Sequence, residues 1–433
     1  MNFSAVSDAL PDRVRKRYRL CAYASTWVGC FSDVMLENSA VLLLYLAMLN
    51  AGDTLIMLST GLVGIASMFL LIPASGIVGR IGLKRSVAIS SAMGGGAYLL
   101  MAAAPVFGDG AARYAVFAGC FLFSLSKPLN NAAWYPICGA ILKPDERGDF
   151  FGFMRFSYYI LTGGVFFLLG VFMGPRPSLS LLQIVIAATG ILALGRYYFI
   201  SRIELPAPGH GNYEIGRAFA ISVRNGPLVG FSVYVCFLSL AFAAVLPLAL
   251  LYLRNGLHFG DNVVQMLSSV GIGGCVCGFF FYSRIVRRFG IRNVQVAIHL
   301  AYIFIPLGLF TCTGNGIWTA AAAGFLLFAG NFVFACFGCA FSQELLALAR
   351  PGNTTMATAF GQTYQMIGTA CGRVAASLLL AHGVLNAVWT LGPFSITRFQ
   401  TVFLLCAGMA LISLILIFCI PSVVPKHRDY YRP

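Results

Sequence analysis

The segment Ser75-Gly76-Ile77-Val78-Gly79-Arg80-Ile81-Gly82-Leu83-Lys84-Arg85 has a second version, Ser283-Arg284-Ile285-Val286-Arg287-Arg288-Phe289-Gly290-Ile291-Arg292. Serine, arginine, glycine and a basic residue recur at a constant offset of 208 positions. Each copy is a short basic turn between two long apolar runs. Charge bias alone would account for the cations but not for the shared spacing. The chain therefore reads as two similar halves.

Working outward, the composition sets the solvent. Hydrophobic residues make up 59% of the 433 positions and charged residues 10%, against roughly 25% charged in an ordinary globular protein. A water-facing surface cannot be built from that supply. The 47 glycines fit as well, because membrane helices use glycine more freely than soluble ones. The net charge of +15 sits in short clusters between apolar runs, which argues against nucleic acid as a partner. The 13 cysteines lie almost wholly inside those runs, where they act as small hydrophobes. No disulfide framework and no metal site are expected. The apolar run after the basic N-terminal segment is too long for a cleaved signal and lacks a clear cleavage site.

A membrane helix needs about 20 mostly apolar residues. Twelve such runs are present, near 21–48, 54–78, 86–107, 113–141, 150–173, 179–200, 227–252, 262–282, 293–312, 317–341, 356–381 and 399–420. With the N-terminus on the cytoplasmic side, twenty-two of the 29 Lys and Arg fall on that side. That count assigns Arg196 to the connector after the sixth run. Only Arg113, Arg176, Arg254 and Arg398 fall outside, and Lys127, Arg155 and Arg373 lie within spans. The bias follows the positive-inside rule and favours an even number of spans. Both termini are expected in the cytoplasm of a cell (inner) membrane protein. The polar connector 201–225, with Pro206, Pro208, Gly209 and Gly211, separates an N-terminal bundle (1–200) from a C-terminal bundle (226–433).

The two turns resemble the loop signature of the major facilitator superfamily, Gly-x-x-x-Asp-Arg-x-Gly-x-Arg/Lys. A second resemblance is Lys143-Pro144-Asp145-Glu146-Arg147-Gly148 followed by Phe151-Gly152, with a weaker counterpart from Arg350-Pro351 to Phe360-Gly361. The likeness implies an all-α integral membrane fold of twelve transmembrane helices in two six-helix pseudo-repeat bundles. It gives Arg80, Gly82, Lys84, Arg288, Gly290 and Arg292 a place in gating loops. Serine replaces the first glycine in both copies, and Gly79 and Arg287 replace the aspartate. The cytoplasmic lock that this aspartate helps make in the family is therefore not expected here in that form. Repeated bundles suit transport, because two halves rocking about a midplane site expose it to each side in turn. Glycine-rich stretches such as Met93-Gly94-Gly95-Gly96 and Gly368-x-x-x-Gly372 permit close helix approach.

An ionisable group at mid-membrane costs at least about 2.5–3.5 kcal/mol, so each one needs a partner, a cavity or a task. Asp33 and Glu37 share one helical face with Thr26 and Gly29. Lys127, Asn130, Asn131 and Trp134 share another, interrupted by Pro128 and Pro136. An ammonium, two amides and an indole on one stripe can grip oxygen-bearing groups and stack on an apolar face. Thr358, Gln362, Gln365, Thr369 and Arg373 form a third stripe. Similar depths offer two charge pairs, Asp33 with Lys127 and Glu37 with Arg373. For each stripe the alternative is a structural polar seam between helices. Asn331 joins the candidate binding set, although it also reads, like Gln265, Ser268 and Ser269, as a helix-to-helix contact. Arg155 reads equally as snorkelling or pore-lining, and His299 as a satisfied core residue. In the family, spans one, four, seven and ten line the cavity, and the resemblance adds weight to Asp33, Lys127 and Gln362.

No phosphate-cradling loop, HExxH or nucleophile elbow is present, so no enzyme activity, cofactor or ATP-driven pumping is expected. The reading is a secondary active transporter, monomeric, moving a small polar organic solute of sugar or organic-acid type by alternating access with protons. Lys127, Asn130, Asn131, Trp134, Asn331, Gln362, Gln365 and Arg373 would bind it, and Asp33 or Glu37 would carry the proton. The alternative is a proton-driven efflux antiporter for amphiphilic drug-like compounds. It rests on the acidic first span and on Gly170-Val171-Phe172-Met173-Gly174-Pro175, which resembles half of the family's antiporter motif before Arg176-Pro177 breaks it.

Overall fold

A computed structural model describes residues 11–37, 39–142, 147–205, 215–350, 353–381, 384–386, 388–391 and 394–419. The Lys143–Glu146 part of the second motif, Pro351, the linker residues Pro206 to Gly211 and the tail cations Lys426, Arg428 and Arg432 lie outside them.

The twelve expected spans are all helical. The first is α1 (Asp12–Glu37) followed by α2 (Val41–Met48). Then come α3 (Asp53–Ile81), α4 (Leu83–Ala102), α5 (Asp109–Ile141), α6 (Arg147–Met173) and α7 (Leu179–Ser201). The short α8 (Ile215–Val223) lies in the central connector. The seventh span is broken into α9 (Gly226–Phe242) and α10 (Val245–Leu251), and α11 (Asp261–Phe289), α12 (Ile291–Thr311), α13 (Ile317–Leu348) and α14 (Thr354–Leu379) follow. A hairpin of β1 (Val388–Leu391) and β2 (Phe394–Thr397) leads into α15 (Arg398–Cys419).

Among the described residues, eight helices are apolar and long enough to cross a membrane without reservation, and the α1–α2 pair makes a ninth. The three remaining spans, α4, α5 and α14, are of sufficient length but more polar. Two of them carry the stripes of Lys127 and of Gln362. Side chains placed for a polar interior lower the mean hydropathy of a helix that still spans the bilayer.

The repeated turns have the same backbone. Gly82 has φ 88° and ψ 158°, and Gly290 has φ 77° and ψ 152°. That region is essentially closed to residues with a Cβ, which explains why glycine recurs at this position. The face carrying these turns is called the basic face below. Arg80, Arg288 and Arg292 are exposed there, and Lys84 donates to the Ser201 carbonyl at 3.0 Å, tying α4 to the end of α7.

Glycine also sets helix spacing. Gly95 of α4 and Gly190 of α7 meet backbone to backbone, and Gly368 and Gly372 of α14 lie against the carbonyls of Cys236 and Leu240 on α9. A methyl group at any of these would force the helices apart.

One assignment needs correction. Arg196, counted with the connector after the sixth span, lies inside α7, five positions before its end at Ser201. Its length carries the guanidinium towards mid-membrane rather than out to the headgroups.

Candidate functional site

Asp33 is the centre of the site. Its Oδ1 lies 2.8 Å from Lys127 Nζ on α5, and its Oδ2 accepts from an Arg196 guanidinium nitrogen on α7 at 3.0 Å. The first expected charge pair is therefore present, with a second cation that the sequence reading placed elsewhere. Gly29, one turn before Asp33 on α1, makes room for it. A Cβ on Gly29 would run into the Arg196 guanidinium. Ser25 Oγ donates to the Arg196 carbonyl at 3.1 Å and fixes the same α1–α7 contact.

The trio is not sealed. The Asp33 side chain retains 27% exposure, while Lys127 and Arg196 retain 12% and 13%. The Asp33 carboxylate therefore keeps part of its surface uncovered by the helices around it. Asn130, Asn131 and Trp134, on the Lys127 side of α5, are half-buried, as are Gln362 and Gln365 on α14. Among the described residues none of these five side chains has a hydrogen-bond partner. Partly exposed amides with their donors and acceptors unclaimed are available to water or to a solute. Around them, Trp27 Nε1 donates to Ser157 Oγ at 2.8 Å, and Tyr158 and Tyr159 lie against one another, Tyr159 stacking on Phe279 of α11. Arg155 also lies over the Phe279 ring, 5.3 Å from its centre.

The second expected charge pair does not form. Arg373 donates through Nε to the Ala243 carbonyl at 3.1 Å and through a terminal nitrogen to the Thr60 carbonyl. The reason lies four residues beyond Ala243. Pro247 has no N–H, so the Ala243 carbonyl has no helical donor, and the seventh span breaks there. Arg373 fills that vacancy and at the same time joins α14 to α3 of the other half.

Glu37 instead borders a small cavity between the halves. Ser39, Ser59 and Thr60 line it from the first half, and Leu246, Ser268 and Asn331 from the second. Its volume is about 30 Å³, room for one or two waters. Among the described residues Glu37 has no ion pair. Asn331 is buried at the rim, donating to the Leu327 carbonyl at 3.0 Å and accepting from the Cys275 thiol. It therefore combines the two readings given it, a helix-to-helix contact at the edge of a void. His299 is satisfied between the Tyr234 hydroxyl and the Gln295 carbonyl.

On the face opposite the basic turns a clasp closes the halves. Asp53, the first residue of α3, meets Arg398, the first of α15, at 2.7 Å, and Asn255 donates to the other Asp53 oxygen at 2.6 Å. Ser377 Oγ donates to the Thr54 carbonyl at 2.7 Å beside them. The sequence showed Asp53 and Arg398 only as loop residues, because nothing local relates them.

Two helical halves, an ionic centre between apolar spans and a clasp on one face define a membrane transporter. The sequence model of the Major Facilitator Superfamily matches residues 25–372, and the chain belongs to that superfamily of multi-pass secondary transporters. No curated protein sequence matches it significantly. Among solved structures, a D-xylose-proton symporter aligns with TM-score 0.71 at 13% identity, over 95% of this chain and 99% of that one. The nucleoside transporter NupG aligns with TM-score 0.66 at 16% identity, over 94% and 98%. A bacterial homologue of the iron transporter ferroportin in an inward-facing state gives 0.66 at 12%, over 94% and 98%. At these identities the likeness is one of fold.

Proposed function

We propose that the chain moves a small polar organic solute, of the sugar or organic-acid type, across a cell (inner) membrane in company with protons. The partly exposed Asp33, held by Lys127 and Arg196, with unclaimed amides along the Lys127 side of α5, carries this reading. Asp33 and Glu37 are the groups that take up and release the proton. Lys127, Asn130, Asn131 and Trp134 on one side, with Gln362 and Gln365 on the other, hold the solute. Arg373 acts at the seam, and Asn331 borders the Glu37 void. The bundles 1–200 and 226–433 rock about this centre, with 201–225 as their link and the basic face, with both termini, in the cytoplasm. The resemblance to a D-xylose-proton symporter is in keeping with symport.

Uptake of labelled sugars and carboxylates into proteoliposomes under an imposed pH gradient tests the proposal. Asp33→Asn or Glu37→Gln should abolish gradient-driven accumulation and spare solute exchange. Unchanged active uptake in both variants would remove these groups as proton carriers. Extrusion of amphiphilic compounds without uptake of polar solutes would favour the efflux alternative.

A further inference from the structure

The turn between α11 and α12 carries Arg284, Arg287, Arg288 and Arg292, and no Asp or Glu occurs between Asp261 and Glu344. All four arginines are exposed, and among the described residues none of them meets a carboxylate. On the opposite face the pattern is reversed, with Arg254 on Asp261 at 2.9 Å and Arg398 on Asp53 at 2.7 Å. The matching turn of the first half is less basic. It has Arg80, Lys84 and Arg85, and Lys84 is spent on the Ser201 carbonyl. Arg287 also stands where the family signature has its aspartate, so this turn has lost an acid and gained a cation. Phe280, Phe281, Arg284, Arg287 and Arg288 follow at helical spacing along one face of α11, and the two rings are exposed to 51% and 40%. The Arg284 guanidinium lies over both of them, 5.1 and 5.9 Å from their centres, and Arg288 lies 5.5 Å from the centre of Phe289. Stacking uses the flat face of a guanidinium and leaves its N–H edges free, and those edges grip phosphate oxygens in pairs. The rings of Phe280 and Phe281 lie on the membrane side of the arginines, which is the order of acyl chain and headgroup in a phospholipid.

We propose that this face of α11 seats an anionic phospholipid, with its phosphate on Arg284, Arg287 and Arg288 and its acyl chains along Phe280 and Phe281. Phe156 of α6 packs on Phe280 with ring centres 6.0 Å apart, so the seat borders the contact between α11 and the other half. Arg292, beyond Gly290, adds to the attraction from the far side of the turn. The partner is a lipid rather than a free anion, because the rings match an acyl chain and offer nothing to inorganic phosphate. A zwitterionic headgroup brings its own cation, which the arginines repel, so the preference is for net negative charge. The inference does not depend on what the chain transports.

The test heats the purified full chain in a neutral detergent with increasing phosphatidylglycerol, phosphatidylcholine or inorganic phosphate. The expected result is a melting temperature that rises with the logarithm of phosphatidylglycerol concentration and stays flat with the other two. Arg284→Gln/Arg287→Gln/Arg288→Gln should lose the rise. Arg13→Gln/Lys16→Gln/Arg17→Gln, which removes the same charge from exposed positions on α1, should keep it. If the α11 triple variant does not fold, Arg287→Gln alone takes its place and should need about fivefold more phosphatidylglycerol for the same rise. Equal rises with phosphatidylglycerol and phosphatidylcholine would overturn the proposal, as would an equal rise with inorganic phosphate. Equal losses in the α11 and α1 variants would also overturn it, because the response would then follow net charge and not this seat.

Discussion

Asp53 and Arg398, 345 positions apart, each stand at the first residue of a membrane helix and meet at 2.7 Å. Asp53 also gains from the positive end of α3, where a carboxylate is favoured. The Arg398 guanidinium is held from a second side by the Leu380 carbonyl at 3.1 Å. The clasp joins the two halves on the face opposite the basic turns. In the family, the corresponding bridging role falls partly to an aspartate that this chain replaces by Gly79 and Arg287, on the other face.

Breaking this clasp should open that face. Hydrogen bonds to charged groups contribute about 1.5–3 kcal/mol, which is about tenfold or more in an equilibrium. With a reporter cysteine at Leu250, beside the Glu37 cavity, Asp53→Asn should raise the rate of labelling by an impermeant maleimide by roughly that factor. Arg398→Gln should do the same, and the double variant no more, because both remove one contact. Additive increases would mean that the two side chains act separately.

Gly29→Ala gives a prediction of sign. In an open helix interior the change would stabilise by about 0.5–1 kcal/mol. Here the added methyl occupies the space of the Arg196 guanidinium, so a lower melting temperature and loss of uptake are expected. In an Arg196→Gln background the same change should cost much less. A stabilised, active Gly29→Ala protein would show that Arg196 does not rest there.

The three members of the ionic centre should not be equivalent. Asp33→Asn breaks both ion pairs, whereas Lys127→Gln or Arg196→Gln leaves one of them standing. Removing one partner from a buried pair costs about 3–5 kcal/mol, and the partial exposure of Asp33 brings the expected loss towards the lower end. Melting temperatures should therefore fall furthest for Asp33→Asn, with the two cation variants close together. Equal losses in all three would mean that the second ion pair of Asp33 adds nothing to the first.

These cases show what could be read from the chain alone. Gly82 and Gly290 were legible because one backbone requirement occurs twice at one spacing. Asp33 and Lys127 were legible because apolar surroundings make any charge conspicuous and depth then pairs them. Arg196 was not, because a cation near the end of a span counts equally well as a loop residue until its direction is known. The clasp of Asp53 and Arg398 was not, because helix ends are where charges ordinarily meet water. The expected Glu37–Arg373 pair failed for a reason the sequence did hold. Pro247 leaves the Ala243 carbonyl without a donor, and a guanidinium nearby is drawn to it before a carboxylate farther off.

That last relationship supplies a rescue experiment. Arg373→Met should leave the Ala243 carbonyl without its donor, at about 1–3 kcal/mol, and should also release Thr60 on α3. Pro247→Ala restores an N–H four residues after Ala243 and allows the helix to satisfy that carbonyl itself. Combined with Arg373→Met, it should recover part of the lost melting temperature, while the contact to Thr60 stays broken. Alone, Pro247→Ala should straighten the seventh span and weaken the hold of Arg373 on it. A double variant no more stable than Arg373→Met would show that the proline does not create the demand that Arg373 meets.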